Sequence, residues 1–237
     1  MQGLKPPVAT LALLDRSPVQ RSPNKERVAA HGEVFTPPWL VNAMLDLVAQ
    51  ECEKEDSRFL EPACGDGNFL TEVLRRRLAS IDRRYRVQSR WEMHALIGLA
   101  CLYGIELLPD NVARCQLRLG EQFRGHYEAR YGRKARPEVV AVARLILATN
   151  IVQGDALSMT GPTGEPLVLT EWSLVGRKVK RKLYEYKTLV AGPAKGESLF
   201  DHEPIVNDLG EPYTEVRHVR DLPLVHYLAL AKEWEGR

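Results

Sequence analysis

A short apolar segment that runs into a carboxylate, a proline and two closely spaced glycines admits few folds. Residues Phe59 to Leu70 read F-L-E-P-A-C-G-D-G-N-F-L. Such a pattern predicts a strand, a tight turn at Gly65 and Gly67, and a helix that opens at Asn68. Glycine at these two positions permits positive φ and removes Cβ atoms that would keep a ligand from the backbone. The turn therefore presents backbone N–H groups at a helix N-terminus, where a nucleotide-like molecule can bind.

The rest of the chain supplies further elements of the same kind. Helices are predicted over Asn68 to about Ile81, Met93 to Cys101, from Pro109, and over Pro137 to Leu147. Buried strands are predicted at Leu102 to Leu107 and at Asn150 to Asp155. Strand–helix alternation argues for an α/β fold with a parallel sheet. Upstream, Thr36 is expected as an N-cap with Pro37 in the first helical turn. Leu40, Val41, Met44, Leu45 and Val48 then recur at helical spacing and predict one buried face. Past Asp155, residues Leu167 to Leu174 and Lys178 to Tyr186 predict a β-hairpin. A closing helix is expected to carry Val225, Leu228 and Ala231. The expected organisation is a flexible arm over 1–30, a ligand-binding domain over 31–160, and a hairpin, loop and C-terminal helix packed on it over 161–237.

Four elements in order, F-T-P, P-A-C-G-D-G, Y-G-I-E and Q-G-D-A, resemble motifs X, I, II and III of S-adenosylmethionine-dependent adenine-N6 DNA methyltransferases. Their order is that of the gamma arrangement of type I and fused type II modification enzymes. The resemblance spans about Gly32 to Leu157. It implies a Rossmann-like class I methyltransferase sheet, reduced or incomplete, with flanking helices and a C-terminal hairpin extension. It also implies S-adenosylmethionine as cofactor, held by Phe35, Thr36, Glu61, Pro62, Ala63, Cys64, Gly65, Gly67, Phe69, Glu106, Leu107, Asp155 and Ala156. Within that set Glu106 takes the ribose hydroxyls and Asp155 the adenine amino group. Leu157 or Ile105 flanks the purine, unless either belongs to the core.

The family's catalytic motif, Asn, Asp or Ser before Pro-Pro and an aromatic, is missing from its expected position. Of the two Pro-Pro pairs, Pro6-Pro7 and Pro37-Pro38, the second opens a helix. Sixteen residues after Asp155 stands Glu171, followed by Trp172 and Ser173. Glu171 or Ser173 is a candidate acceptor and Trp172 a candidate stacking platform; a buried hairpin tryptophan is the alternative. The remaining strands of a full methyltransferase sheet are not expected past the hairpin. Two functions follow: a DNA methyltransferase-like protein that needs a partner subunit for catalysis or target reading, or a non-catalytic S-adenosylmethionine- or DNA-binding homologue.

A net charge of +2 gives no global polycation signal. Cations are nevertheless clustered at Arg75, Arg76, Arg77, Arg83, Arg84, Arg86 and Arg90, and again at Arg177, Lys178, Lys180, Arg181 and Lys182. Each cluster is either a solvated face or a set of phosphate contacts; the second, on the hairpin, is the candidate DNA contact. The four cysteines show no zinc spacing, so no metal is expected. A reducing cytoplasm fits them, and no stretch is apolar for long enough to span a membrane.

Overall fold

Three short parallel strands, each pair joined by two helices, make the framework. The computed structural model describes residues 36–191, 205–206, 212–213 and 218–235. Strands β1 (Phe59–Glu61), β2 (Leu102–Glu106) and β3 (Ile151–Gln153) lie in the order β1-β2-β3. Phe59 pairs with Leu102, and Glu106 with Gln153. All five residues of β2 are buried, as the central strand of a covered parallel sheet requires. Helices α1 (Pro38–Asp46) and α2 (Ala49–Glu53) precede β1. Helices α3 (Asn68–Arg84) and α4 (Gln88–Ala100) link β1 to β2; α5 (Pro109–Tyr131) and α6 (Pro137–Asn150) link β2 to β3. The predicted arm over 1–30 lies outside the described residues.

Below the N-terminal ends of the parallel strands, the helices surround a wholly buried Trp91. Its ring stacks on Tyr127 and His126, and its Nε1 donates to Asp82 Oδ1 at 2.7 Å. Each fully buried aliphatic side chain in this layer, such as Leu74 or Leu99, contributes about 1.5–3 kcal/mol.

A second, antiparallel sheet follows, with β4 (Val168–Val175), β5 (Lys178–Glu185) and β8 (Arg220–His226) in that order. The hairpin expected from the sequence is β4–β5. Helix α7 (Tyr186–Ala191) follows β5, and β6 (Ile205–Val206) pairs with β7 (Pro212–Tyr213). Leu167 and Leu169 cluster with Tyr103 and Ile105 of β2, and the Tyr103 hydroxyl donates to the Thr170 carbonyl at 2.9 Å. Further along, Trp172 and Val179 join the helical core. The closing segment differs from the expected helix. Val225 lies in β8, and only after a 3-10 turn over Tyr227–Ala229 does α8 (Leu230–Glu235) begin. Alternation of Leu222, Leu224 and His226 with Pro223 and Val225 fits a strand on the edge of a sheet, which helical spacing alone does not reveal.

A wholly buried carboxylate ties this segment down. Glu92 accepts hydrogen bonds from Tyr127 (2.5 Å), Gln88 (2.8 Å), Tyr227 (2.9 Å) and Arg136 (3.2 Å). Helix α1 also departs from expectation. Val41 and Leu45 are buried, but Met44 and Val48 stay 48% and 43% exposed, so the apolar face is wider than what α3 covers. No helix among the described residues is long and apolar enough to cross a membrane.

Candidate cofactor edge

After β1 the chain turns through the glycine loop and enters α3. Gly65 and Gly67 take φ of 52° and 92°, the left-handed region that glycine enters without strain. Gly67 also permits close packing, since a Cβ there would meet Cys115 Sγ at 2.7 Å. Gly104 does the same on β2, where a Cβ would lie 2.7 Å from Cys64 Sγ. The loop is pinned to β2 by two bonds. Cys64 N–H donates to the Ile105 carbonyl at 3.1 Å, and Gly65 N–H to Glu106 Oε2 at 2.8 Å.

Glu106 ends β2 and is buried, with 9% exposure. Its Oε1 accepts from the Leu108 amide at 3.0 Å, with the Asn111 amide at 3.5 Å, while its carbonyl accepts from Gly154 N–H. Oε1 so takes two donors, and Oε2, with one, keeps an acceptor site open. Gly154 leads directly to Asp155, whose Oδ1 accepts from Leu157 N–H at 2.8 Å. Glu61, the glycine loop, Glu106 and Asp155 thus follow the carboxyl ends of all three parallel strands. In open α/β sheets that edge is where ligands sit.

Charges at this edge are held differently. Burial pushes the Glu61 carboxyl up, partly offset by the Ala63 amide. The Leu157 amide and then the Ser158 hydroxyl hold Asp155 down, so it is ionised at neutral pH. Asp66, between the two loop glycines, is paired with Arg118 of α5 at 2.7 Å, and the same guanidinium donates to the Asp66 carbonyl. Hydrogen bonding to the Cys115 thiol and then burial push the Cys64 thiol far up, so Cys64 acts as a packing group and not as a nucleophile.

Among the expected ligand residues, Pro62 and Ala63 are exposed, Phe69 packs partly against the core, and Ala156 packs beside the Tyr103–Ile105 cluster. Leu107 and Leu157 are 53% and 93% exposed, whereas Ile105 is fully buried and belongs to the core. Phe35 lies outside the described residues. Thr36 is not the N-cap; Pro37 is, without a side-chain capping bond, because Pro38 takes the first helical position. Arg118 was not visible as a site residue, since it reaches Asp66 of the glycine loop from 52 residues away.

The candidate catalytic residues lie at the other end of the sheet. Glu171 pairs with Arg58, the residue just before β1, and also accepts from the Tyr184 hydroxyl. Trp172 is buried, and its Nε1 donates to Asn150 Oδ1 at 2.9 Å, just before β3. Strand β4 therefore runs antiparallel to β2, from Leu167 near Ile105 down past the amino ends of the strands. Trp172 is a core residue and not a stacking platform. Exposed Ser173 is further still from the glycine loop.

The two cationic clusters also part ways. Arg75 and Arg76 pair with Glu72, Arg76 also with Asp46, Arg83 with Glu53, and Arg84 with Glu55. Buried Arg77 donates to the carbonyls of Gly98 and Ser57. Arg76, Arg77, Arg83 and Arg84 so join α3 to its neighbours, while Arg86 and Arg90 are exposed. On the hairpin, Arg177 and Lys178 are exposed, but Arg181 is 2% exposed and cannot be a surface phosphate contact. Its position opposite Trp172 faces the core.

Compared with known proteins, the chain is 34% identical over 99 residues to the Type II methyltransferase M.BstVI of Geobacillus stearothermophilus. The chain is related, over that stretch, to a type II methyltransferase. The similarity is distant and covers 40% of this chain and 17% of that protein's length. No family model and no solved structure matches.

Proposed function

We propose that this chain is a DNA methyltransferase-related protein of the adenine-N6 type that binds S-adenosylmethionine at the carboxyl edge of β1, β2 and β3. The observation that carries the reading is the joint placement of the glycine loop, Glu106 and Asp155 at that edge, locked by the Gly65–Glu106 bond. The groups present suit the ligand. Glu106 keeps an open acceptor site on Oε2 for a ribose hydroxyl, and ionised Asp155 suits an amino donor. Exposed Leu107 and Leu157 offer apolar surface to a purine, and the N-terminal end of α3 meets the glycine loop. When bound, the cofactor supplies an electrophilic methyl group; the chain's own residues bind and orient it.

We further propose that methyl transfer needs catalytic groups from a partner. Support comes from Glu171, Trp172 and Ser173, which stand at the amino edge of the sheet, away from the glycine loop. The same placement favours the second reading, a non-catalytic cofactor-binding homologue. Calorimetric titration with S-adenosylmethionine, run beside tritiated methyl transfer to unmethylated DNA, tests both. Binding without transfer is the expected result for the isolated chain. Absence of binding would overturn the cofactor reading, and robust transfer by the chain alone would overturn the need for a partner.

A further inference from the structure

Helix α1 is attached to the molecule by one stripe and is open over the rest of its surface. Val41 and Leu45 are buried, in one cluster with Leu70, Val73 and Leu74 of α3. Beside that stripe stand the only two polar side chains of the helix. Arg76 of α3 pairs with Asp46 at 2.7 Å and donates to Asn42 Oδ1 at 3.1 Å. The remaining residues of α1 are apolar, and no lysine or arginine occurs between Pro37 and Gln50.

Trp39 and Leu47 are 70% and 86% exposed, Ala43 is exposed between them, and Met44 and Val48 are half-exposed. Leu47, the C-cap, keeps helical φ and ψ, so Trp39, Ala43 and Leu47 at four-residue spacing form one ridge. A surface helix normally turns its polar side to water. Here Arg76 holds the polar residues, and the water-facing ridge is apolar. Such a face marks a contact surface.

Its pattern matches a copy of itself. The ridge reads large, small, large, with Ala43 at the centre. Turned about a two-fold axis at Ala43, Trp39 of one copy lies against Leu47 of the other, and the small Ala43 lets the helices approach closely. The two helices then run in opposite senses, so their dipoles oppose. No like charges meet, because the one acid of α1 is bound to Arg76. Without cations the face has no complementarity to phosphate or to an anionic lipid surface. The exposed parts of Trp39, Ala43, Met44, Leu47 and Val48 amount to on the order of 500 Å² per copy. Two copies bury on the order of 1,000 Å², the lower limit of a specific interface and the size of a weak, reversible one.

We propose that the chain self-associates through α1 as an isologous dimer, with Trp39 of each copy packed on Leu47 of the other. This contact needs neither the cofactor nor the glycine loop.

Sedimentation velocity of the full chain between about 1 and 300 µM tests this, with a monomer–dimer equilibrium and a dissociation constant on the order of 50 µM expected. In the Trp39→Lys, Leu47→Lys variant the constant should rise at least tenfold, since cations then face one another across the axis. Its thermal midpoint in dilute solution should not change, because both side chains are exposed. In Ala43→Cys, a short bismaleimide should link two copies as each thiol adds across one maleimide double bond; the four native cysteines are buried. Adding Leu47→Lys should abolish the link. A chain that is monomeric throughout would overturn the inference, and a lowered midpoint in the double variant would then assign the face to cover from within the chain. Dimerisation as tight in the double variant as in the unmodified chain, or cross-linking that survives Leu47→Lys, would overturn it too.

Discussion

The amide of Gly65 donates to the carboxylate of Glu106 across 2.8 Å, although 41 residues separate the two in sequence. The strand-end acid proposed to face the cofactor also fixes the loop that would wrap it. Loop geometry and ligand affinity therefore depend on one side chain.

Replacing Glu106 separates these roles. Glu106→Ala leaves the Gly65 and Leu108 amides without their acceptor and should cost about 1–3 kcal/mol in urea unfolding. It should also weaken S-adenosylmethionine binding at least tenfold by calorimetry. Glu106→Gln retains one carbonyl acceptor but turns its NH2 toward the donors on the other side, so it should recover only part of the stability and little of the affinity. Full affinity in the glutamine variant would show that the ligand lies elsewhere.

Gly104 tests how tightly the loop is packed. A methyl group there meets Cys64 Sγ at 2.7 Å and Cys64 Cβ at 3.1 Å. Gly104→Ala should destabilise the chain by about 1–3 kcal/mol through overpacking. Adding Cys64→Ala should recover much of that loss, a coupling readable in a double-mutant cycle. Additive effects would mean that the two positions do not press on one another.

Trp172 separates a core role from a catalytic one. Trp172→Phe removes the bond to Asn150, whose side chain also donates to the Ala100 and Leu102 carbonyls. A fall of about 1–3 kcal/mol in stability with unchanged cofactor affinity is expected. Weaker cofactor binding at unchanged stability would contradict the placement of Trp172.

Alkaline pH should loosen the helical core. Burial, with the Glu92 hydrogen bond next, pushes Tyr127 up to about 12. A phenol whose folded pKa is raised contributes stability that is complete below its unfolded value of about 10. That contribution is lost as pH climbs towards 12. Thermal midpoints should fall over this window, and Tyr127→Phe should flatten the fall. An identical pH profile in the phenylalanine variant would assign the effect to other groups.

The glycine loop and strand-end acids were legible in sequence because each is a local pattern with a local cause. Gly65 and Gly67 are needed for φ, and Glu106 and Asp155 stand where a strand stops. The hairpin was legible too, from the alternation in β5. What sequence could not show was direction. Nothing in P-L-V-L-T-E-W-S tells whether the strand runs toward the glycine loop or away from it; that is decided by Arg58 and Asn150, distant residues that bind Glu171 and Trp172. Which arginines of the cluster are paired was hidden for the same reason, since their acids sit on α1, on α2 and the turn after it, and on α3 itself. Val225 fell in a strand because β5 offered it an edge to pair with.

Glu92 draws donors from α4, α5, the start of α6 and the turn after β8, and it does so with no exposure to water. Peeling away the last strand would take the Tyr227 hydroxyl from a buried carboxylate and uncover the core that Val225, Tyr227 and Leu230 help to close. Slow amide exchange should therefore extend to Tyr227 at the same rate as to α4, and the C-terminal segment should resist protease until the whole molecule melts.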